Sequence, residues 1–561
     1  MDETNRETLP ILSRRDVEAL IAQGRKLFIL DQFVVKADAW IPYHPGGEKS
    51  ILHMVGRDAT DEVTALHSVE TKRRMSRYRI GTIQGRWENF VPPIQGGTFS
   101  TPSDDRDAES DSQYDTDSNP SSASCSHSSI LENFDSPGAM RRQRSTRATA
   151  SSSSSISSVS SDPQDDAMAH LDLVTKQKIT LDLETYPALD HATQDTIVAK
   201  YRCLDDRIRA EGLYDCNYVA YAIEVSRYSM LFAGMLLFLH WGWYIPSAVC
   251  MGAFWHQMSF AAHDAGHIGI THHFHIDSVL GIFIADFMGG LSLGWWKKSH
   301  NIHHIVTNSP EHDPDVEYLP FLAVSHRFLA GLRSTYYDRM MDYDAVARFC
   351  VKFQKYSYYP LLAFGRFNLY RLSWEYLLTG QAPRKGPAWW HRHLEIVGQV
   401  FFWSWYGYGI VYKSIPDNLD RLVFCIISHM VVLPLHVQIT LSHFAMSTAD
   451  LGPKESFPQK MLRTTMDVDC PEWLDFFHGG LQFQAIHHLY PRIPRHNLRR
   501  AQNLVQEFCN DVGIPYALYG FVDGNEKVVG ALGEVSRQAA IFAKCQRQVA
   551  SRGGHLHTHN H

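Results

Sequence analysis

Residues 228–263 read YSMLFAGMLLFLHWGWYIPSAVCMGAFWHQMSFAAH. No Asp, Glu, Lys or Arg interrupts this run. It is long enough for two helical crossings of a bilayer, with a break expected near Pro246. The run ends on His263, the first residue of HDAGH (263–267). An apolar helical stretch therefore delivers a polar cluster to its own end. Two more clusters lie outward along the chain: HNIHH at 300–304 and QAIHH at 484–488.

Further apolar segments occupy 279–296, 395–412 and 421–441. The first carries Asp286 and is short, which suits an interfacial or re-entrant helix. The other two suit full crossings, giving an expected total of four. The stretch 297–394 is rich in Lys and Arg, which favours its cytosolic placement. Residues 190–214 have apolar positions at helical spacing and read as an amphipathic surface helix.

Histidines at i, i+3 and i+4 share one helix face. HNIHH thus offers His300, His303 and His304 together, and HDAGH offers His263 and His267. His487 and His488 come from the third cluster, and His443 follows the last apolar run in LSHF. Eight neutral imidazoles exceed what one tetrahedral ion takes and suit two iron ions. Asp264 and Asn301 are candidates to hold ligand rings in one tautomer. His256 reads as a core or tunnel residue, and His272, His273 and His275 as a solvated loop, with the metal as their alternative. His312 reads as a neighbour of the centre; His478 stands between that role and a lipid headgroup contact. Trp295, Trp296, Lys297 and Lys298 read as a marker of headgroup level or as an ordinary interfacial belt.

A different site lies near the other end. AWIPYHPGG (39–47) places His44 before a turn that Pro45 stiffens and Gly46 and Gly47 loosen. His67 follows 23 residues later. Two imidazoles so placed can grip both faces of haem b, and bis-His ligation favours electron transfer over oxygen binding. His53, close to the same turn, is the competing ligand.

The chain has 561 residues, too many for one ordinary core. Its net charge of −7 excludes bulk electrostatic attraction to nucleic acid. Nine Cys without a CxxC pair suggest neither a disulfide framework nor a thiolate zinc site, and fit a reducing compartment. No cleavable signal peptide is evident at the start. Residues 97–165 are rich in Ser and Asp, with a basic RRQRSTR at 141–147. They read as a disordered tether that lets the first module dock on the membrane part and leave it, or as a phosphorylated regulatory linker. The expected organisation is a module at 8–95, the linker at 97–165, a membrane part at 166–525, and a tail at 526–561. HLHTHNH (555–561) reads as a disordered terminus that takes divalent metal only adventitiously.

The first module resembles the cytochrome b5 family through Trp40, His44-Pro45-Gly46-Gly47, Gly56, Asp58-Ala59-Thr60, His67 and Ser68. It departs from that family in Val63, where Phe is usual. The membrane part resembles the membrane desaturases and hydroxylases through its three histidine clusters. Gln484 marks the front-end branch, and HDAGHIGITH with WLDFFHGGLQFQAIHHLYPRIPRH is similar to fungal sphingolipid Δ8-desaturases. The resemblance implies a small α+β haem domain and a four-crossing helical domain with a cytosolic di-iron cap. It further implies an oxygen-dependent enzyme of the endoplasmic reticulum membrane, both metal sites facing the cytosol. Electrons would pass from NAD(P)H through cytochrome b5 reductase to the haem and on to the irons. The substrate class would be ceramide, desaturated in its long-chain base. A front-end Δ6 or Δ5 acyl-lipid desaturase and a lipid hydroxylase remain the alternatives. His263, His267, His300, His303, His304, His443, Gln484, His487 and His488 would form the catalytic centre, and His44 and His67 would hold the haem.

Overall fold

The computed structural model describes residues 9–100 and 163–556. Most of the expected tether, RRQRSTR included, lies outside the described residues, as do the last five residues of HLHTHNH.

The N-terminal domain is small and mixed α+β. Ser13 and Asp16 form a reciprocal capping box that starts the Arg14–Ala22 helix. The run KLFILDQFVV (26–35) forms most of two strands. Asp31 and Gln32 both take positive φ and turn the chain between β1 (Leu27–Leu30) and β2 (Phe33–Lys36). Strand β3 (Arg79–Thr82) pairs antiparallel with β2 on its other side. Short helices Glu48–Leu52, Thr60–Leu66 and Val69–Met75 cover one face of the sheet. Phe28, Leu30, Val35, Ile51, Met54, Val63 and Met75 fill the space between.

This core does not stop at the domain edge. Ile302, Ile305 and Val306 of the Leu293–Val306 helix belong to the same apolar cluster. Lys49 reinforces the contact by donating to the carbonyls of Thr335 (2.7 Å) and Tyr336 (2.8 Å) and pairing with Asp338. Arg202 pairs with Asp61 at 2.8 Å, and Asn89 donates to the Pro453 carbonyl at 3.1 Å.

The remainder is largely helical. Residues 228–263 form parts of two helices, Tyr218–His240 and Tyr244–Gly266. The break falls at Trp241-Gly242-Trp243, where Gly242 has φ +71°, and not at Pro246. Pro246 sits in the first turn of the second helix, where its missing N–H costs nothing. Among the described residues, two helices, Tyr218–His240 and Asn418–Phe444, are long and apolar enough to cross a membrane. The pair Phe274–Met288 and Leu293–Val306 adds a third if counted as one span, bent by 117° as suits the re-entrant reading. Length and composition therefore support two or three spans where hydropathy alone suggests four. Tyr244–Gly266 carries His256, Gln257, His263 and Asp264, which dilute its apolar character. The segment around 395–412 is divided between a helix, His391–Phe402, and a looser π-type stretch, Trp403–Ser414.

His191–Ala210 is the expected amphipathic helix, capped by Asp190 and burying Ile197, Tyr201, Leu204 and Ile208. Residues 521–556, mostly read as tail, form one long helix whose Val528, Leu532, Val535, Ala539 and Phe542 pack into a core with Val351 and Tyr358.

Candidate metal centre and haem cleft

Four helices bring the imidazoles together. Tyr244–Gly266 ends in His263 and is followed by His267 as its cap. Leu293–Val306 starts at Ser292, whose hydroxyl accepts from the Trp295 N–H, and carries His300, His303 and His304. Leu433–Phe444 contributes His443, and the short Gln484–Leu489 helix contributes His487 and His488. The rings form two adjoining groups. One is His263, His267, His300 and His487; the other is His303, His443 and His488. His304 lies between them, with ring centroids 4.8 Å from His267 and 4.2 Å from His488. Buried nitrogens of His267, His304, His443, His487 and His488 have no hydrogen-bond partner. Such orphaned acceptors are costly unless something binds them. Burial holds His487 and His488 well below the usual imidazole range, so both are neutral donors. The residues thus fit two metal ions in adjoining imidazole shells. Gln484 is buried, on the same short helix as His487 and His488.

In the N-terminal domain the His44 and His67 ring centroids are 5.9 Å apart, with 36° between their planes. With metal–imidazole bonds of about 2 Å, two rings trans across one iron need centroids ~6 Å apart. His44 uses Nδ1 on the Gly47 carbonyl at 2.9 Å, which leaves Nε2 for a metal. Burial lowers the pKa of both rings, that of His67 to about 3. The pair fits haem. His53 does not share the cleft: its ring lies 5.3 Å from His312, and Gln95 contacts its Nδ1 at 2.9 Å.

Comparison with known proteins places this geometry. The family model described as Fatty acid desaturase matches residues 239–520, and that of the Cytochrome b5-like Heme/Steroid binding domain matches 13–84. A Delta 8-(E)-sphingolipid desaturase of Emericella nidulans is 60% identical over 97% of this chain and 97% of its own length. The chain belongs to the fatty acid desaturase family. A Delta 8-(E)-sphingolipid desaturase of Kluyveromyces lactis is 46% identical over 98% of this chain and 97% of its own. An Acyl-lipid (9-3)-desaturase of Borago officinalis is 36% identical, over 61% of this chain and 76% of its own.

Carboxylates that motif reading passed over support the desaturase's centre. Asp313 is wholly buried and accepts from His303 Nδ1 at 2.8 Å and from the Asn308 N–H at 2.8 Å. Asp315 lies 3.5 Å from His300 Nδ1 and, with His300 and His303, forms a third possible ligand group. The signal was HDPD (312–315), two acids placed just after HNIHH. Asp264 sits 4.0 Å from His263, while its carboxylate is chiefly engaged by Arg495 and Tyr221.

Several expected neighbours lie elsewhere in the desaturase. Asn301 faces away from the metal groups; a Cβ added to Gly46 would come within 2.5 Å of its Nδ2. It lies about 100° around the helix from His300, and its side chain meets the haem-side turn. His312 faces His53 and Thr335, not the centre. His478 contacts Gln438 at 3.2 Å, His272 contacts the Tyr214 carbonyl at 2.7 Å, and His275 stacks on Trp390. His256 is buried against Phe260 and Phe477, as a core or tunnel residue would be. Trp296 is no headgroup marker: it stacks on His300 with centroids 4.4 Å apart and packs on Gly266, where a Cβ would collide with its ring.

Proposed function

We propose that the protein is a sphingolipid Δ8-desaturase that introduces an (E) double bond into the long-chain base of ceramide. The observation that carries this reading is the 60% identity to a Delta 8-(E)-sphingolipid desaturase across nearly the whole of both chains. The histidine geometry supports the same chemistry. When bound, two non-haem irons and O2 supply the oxidant that an unactivated methylene pair requires, while haem b relays electrons one at a time. The balance is one O2, two electrons and two protons consumed, two hydrogens removed from the chain, and two waters formed.

The protein's own residues hold, orient and enclose. His263, His267, His300, His303, His304, His443, His487 and His488 are the proposed iron ligands, and Gln484 belongs to the same proposed centre. Asp313 accepts from His303 Nδ1 and so directs the other nitrogen inward. Trp296 walls one side and keeps water from the rings it stacks against. His44 and His67 would hold the haem, which would supply the electron relay.

The proposed organisation is a haem domain at 8–95, a linker at 97–165, a membrane domain at 166–525 and a C-terminal segment from 526. Two helical hairpins, Tyr218–Gly266 and 391–444, would give four crossings in the endoplasmic reticulum membrane. The exposed Trp241 and Trp243 at the tip of the first suit its far interface. Both metal sites would then face the cytosol, where NAD(P)H-cytochrome b5 reductase supplies electrons.

The test is expression in cells that lack the activity, followed by mass spectrometry of ceramides and fatty acids. The expected product is a long-chain base two hydrogens lighter, with the bond at C8. New double bonds in fatty acids with unchanged long-chain bases would overturn the substrate assignment. A gain of one oxygen would make the protein a hydroxylase.

A further inference from the structure

We propose that a cavity against the Leu293–Val306 helix holds the polar head of the substrate, with Lys297 donating to one of its hydroxyl groups. The inference rests on the sphingolipid reading above and adds the place of the head and the residues that select it.

The cavity comprises about 390 Å³ of empty space. Its walls are Pro45 of the haem domain and Phe274, Lys297, Tyr376, His391 and Glu395 of the membrane domain. Lys297 Nζ and His391 Nε2 are both buried without a hydrogen-bond partner. Polar atoms so placed are costly until something bonds them. What Lys297 lacks is an acceptor rather than a counter-charge. Its ammonium lies 5.3 Å from the centroid of the Phe274 ring, and the Asp277 carboxylate already bears on it. A neutral oxygen therefore suffices, and ceramide is a neutral lipid.

The same cavity offers an acceptor. Glu395 uses Oε2 on the Ser292 hydroxyl and on the Gly294 N–H at 3.1 Å, which leaves Oε1 to accept. Gly294 keeps this corner open: a Cβ there would lie 2.7 Å from Glu395 Oε1 and 2.8 Å from the Tyr376 hydroxyl. A head that fits must both accept and donate. The hydroxyl groups and the amide of a ceramide do both. The ester head of an acyl lipid only accepts, and would leave Glu395 without a donor.

The cavity also stands at a useful distance from the metal centre. Lys297 and Gly294 precede His300 by three and six residues on one helix, or ~4.5 and ~9 Å along its axis. Several methylenes cover that span. A head seated here would therefore set the reacting carbon by counting from the head and not from the methyl end.

The experiment is equilibrium binding of radiolabelled dihydroceramide, the saturated ceramide, to the purified full-length protein in detergent. The 1,3-dideoxy analogue, which keeps the amide and both chains but lacks the hydroxyl groups, is measured beside it. The unsubstituted protein should prefer dihydroceramide by about tenfold, the worth of one hydrogen bond to a charged group. Lys297→Met should weaken dihydroceramide by the same factor, leave the analogue unchanged, and keep its iron content and haem spectrum. Lys297→Arg retains a donor and should retain a preference. Equal binding of the two lipids by the unsubstituted protein would overturn the proposal, whether or not Lys297→Met folds, and would leave a cavity that holds water only. A preference that survives Lys297→Met would overturn it as well. So would equal weakening of both lipids, which would make Lys297 a structural residue. Tighter binding of phosphatidylcholine than of dihydroceramide would count against the sphingolipid reading itself.

Discussion

Each imidazole of the metal centre is one of several that a bound ion would draw together. His487→Ala should therefore lose iron and turnover while the haem spectrum stays intact, read by metal analysis beside the absorbance of the same sample. His44→Ala should do the reverse, losing haem and turnover with iron retained. Iron that survives His487→Ala would remove that residue from the ligand set. Asp313→Asn keeps the shape but gives up the negative charge beside His303, and outer partners of this kind are worth about 10- to 100-fold in metal affinity. A chelator competition should show that loss. The haem cleft also has a pH dependence. His67 has a folded pKa of about 3, below its ordinary 6.5, so the unfolded chain takes up its proton first as pH falls. Stability is unaffected above pH 6.5 and declines between 6.5 and 3 by about 1.4 kcal/mol per pH unit for this group. Haem release followed by absorbance should grow across that window and not on the alkaline side.

The Leu293–Val306 helix shows why some features were legible in the sequence and others were not. The i, i+3, i+4 spacing told which imidazoles share a face, and they do. It could not tell what covers the other face, because Ile302, Ile305 and Val306 read simply as apolar residues between histidines. Their partners, Phe28, Met54 and Val63, are more than two hundred residues away in the chain. The same limit applies to Asn301, a candidate from its sequence to hold a ligand ring, whose side chain faces the haem-side turn. Asp313 was missed because an acid after a motif resembles a solvated loop until burial is known. The hairpin in KLFILDQFVV is hard to read from sequence because its turn uses Asp31-Gln32 where Asn-Gly is the stronger signal. The helix supports a prediction at this scale. Ile302→Ala should cost ~2–4 kcal/mol as a cavity in a shared core. Amide exchange should then rise in both Glu48–Leu52 and Leu293–Val306. A rise confined to one of them would mean that the two do not act as one layer.

Among the described residues, the haem domain and the membrane domain share apolar packing, the partly exposed ion pairs Lys49–Asp338, Arg86–Asp195 and Arg202–Asp61, and several main-chain contacts. A donor that docks and leaves through charge would be steered by it and weakened by salt. A donor seated on an apolar layer is not. Haem reoxidation in the full-length protein should vary by less than about twofold between low and physiological ionic strength, beyond which exposed pairs are largely screened. A steep fall would restore the picture of a module that visits transiently. The two-sided helix also constrains descent. One inserted residue ahead of His300 would rotate everything after it by roughly 100°, swinging imidazoles toward the porphyrin and isoleucines toward the metal. The halves of this chain are thus geared to one shaft, and a foreign electron donor could replace the native one only if Ile302, Ile305 and Val306 were recut to mesh with it.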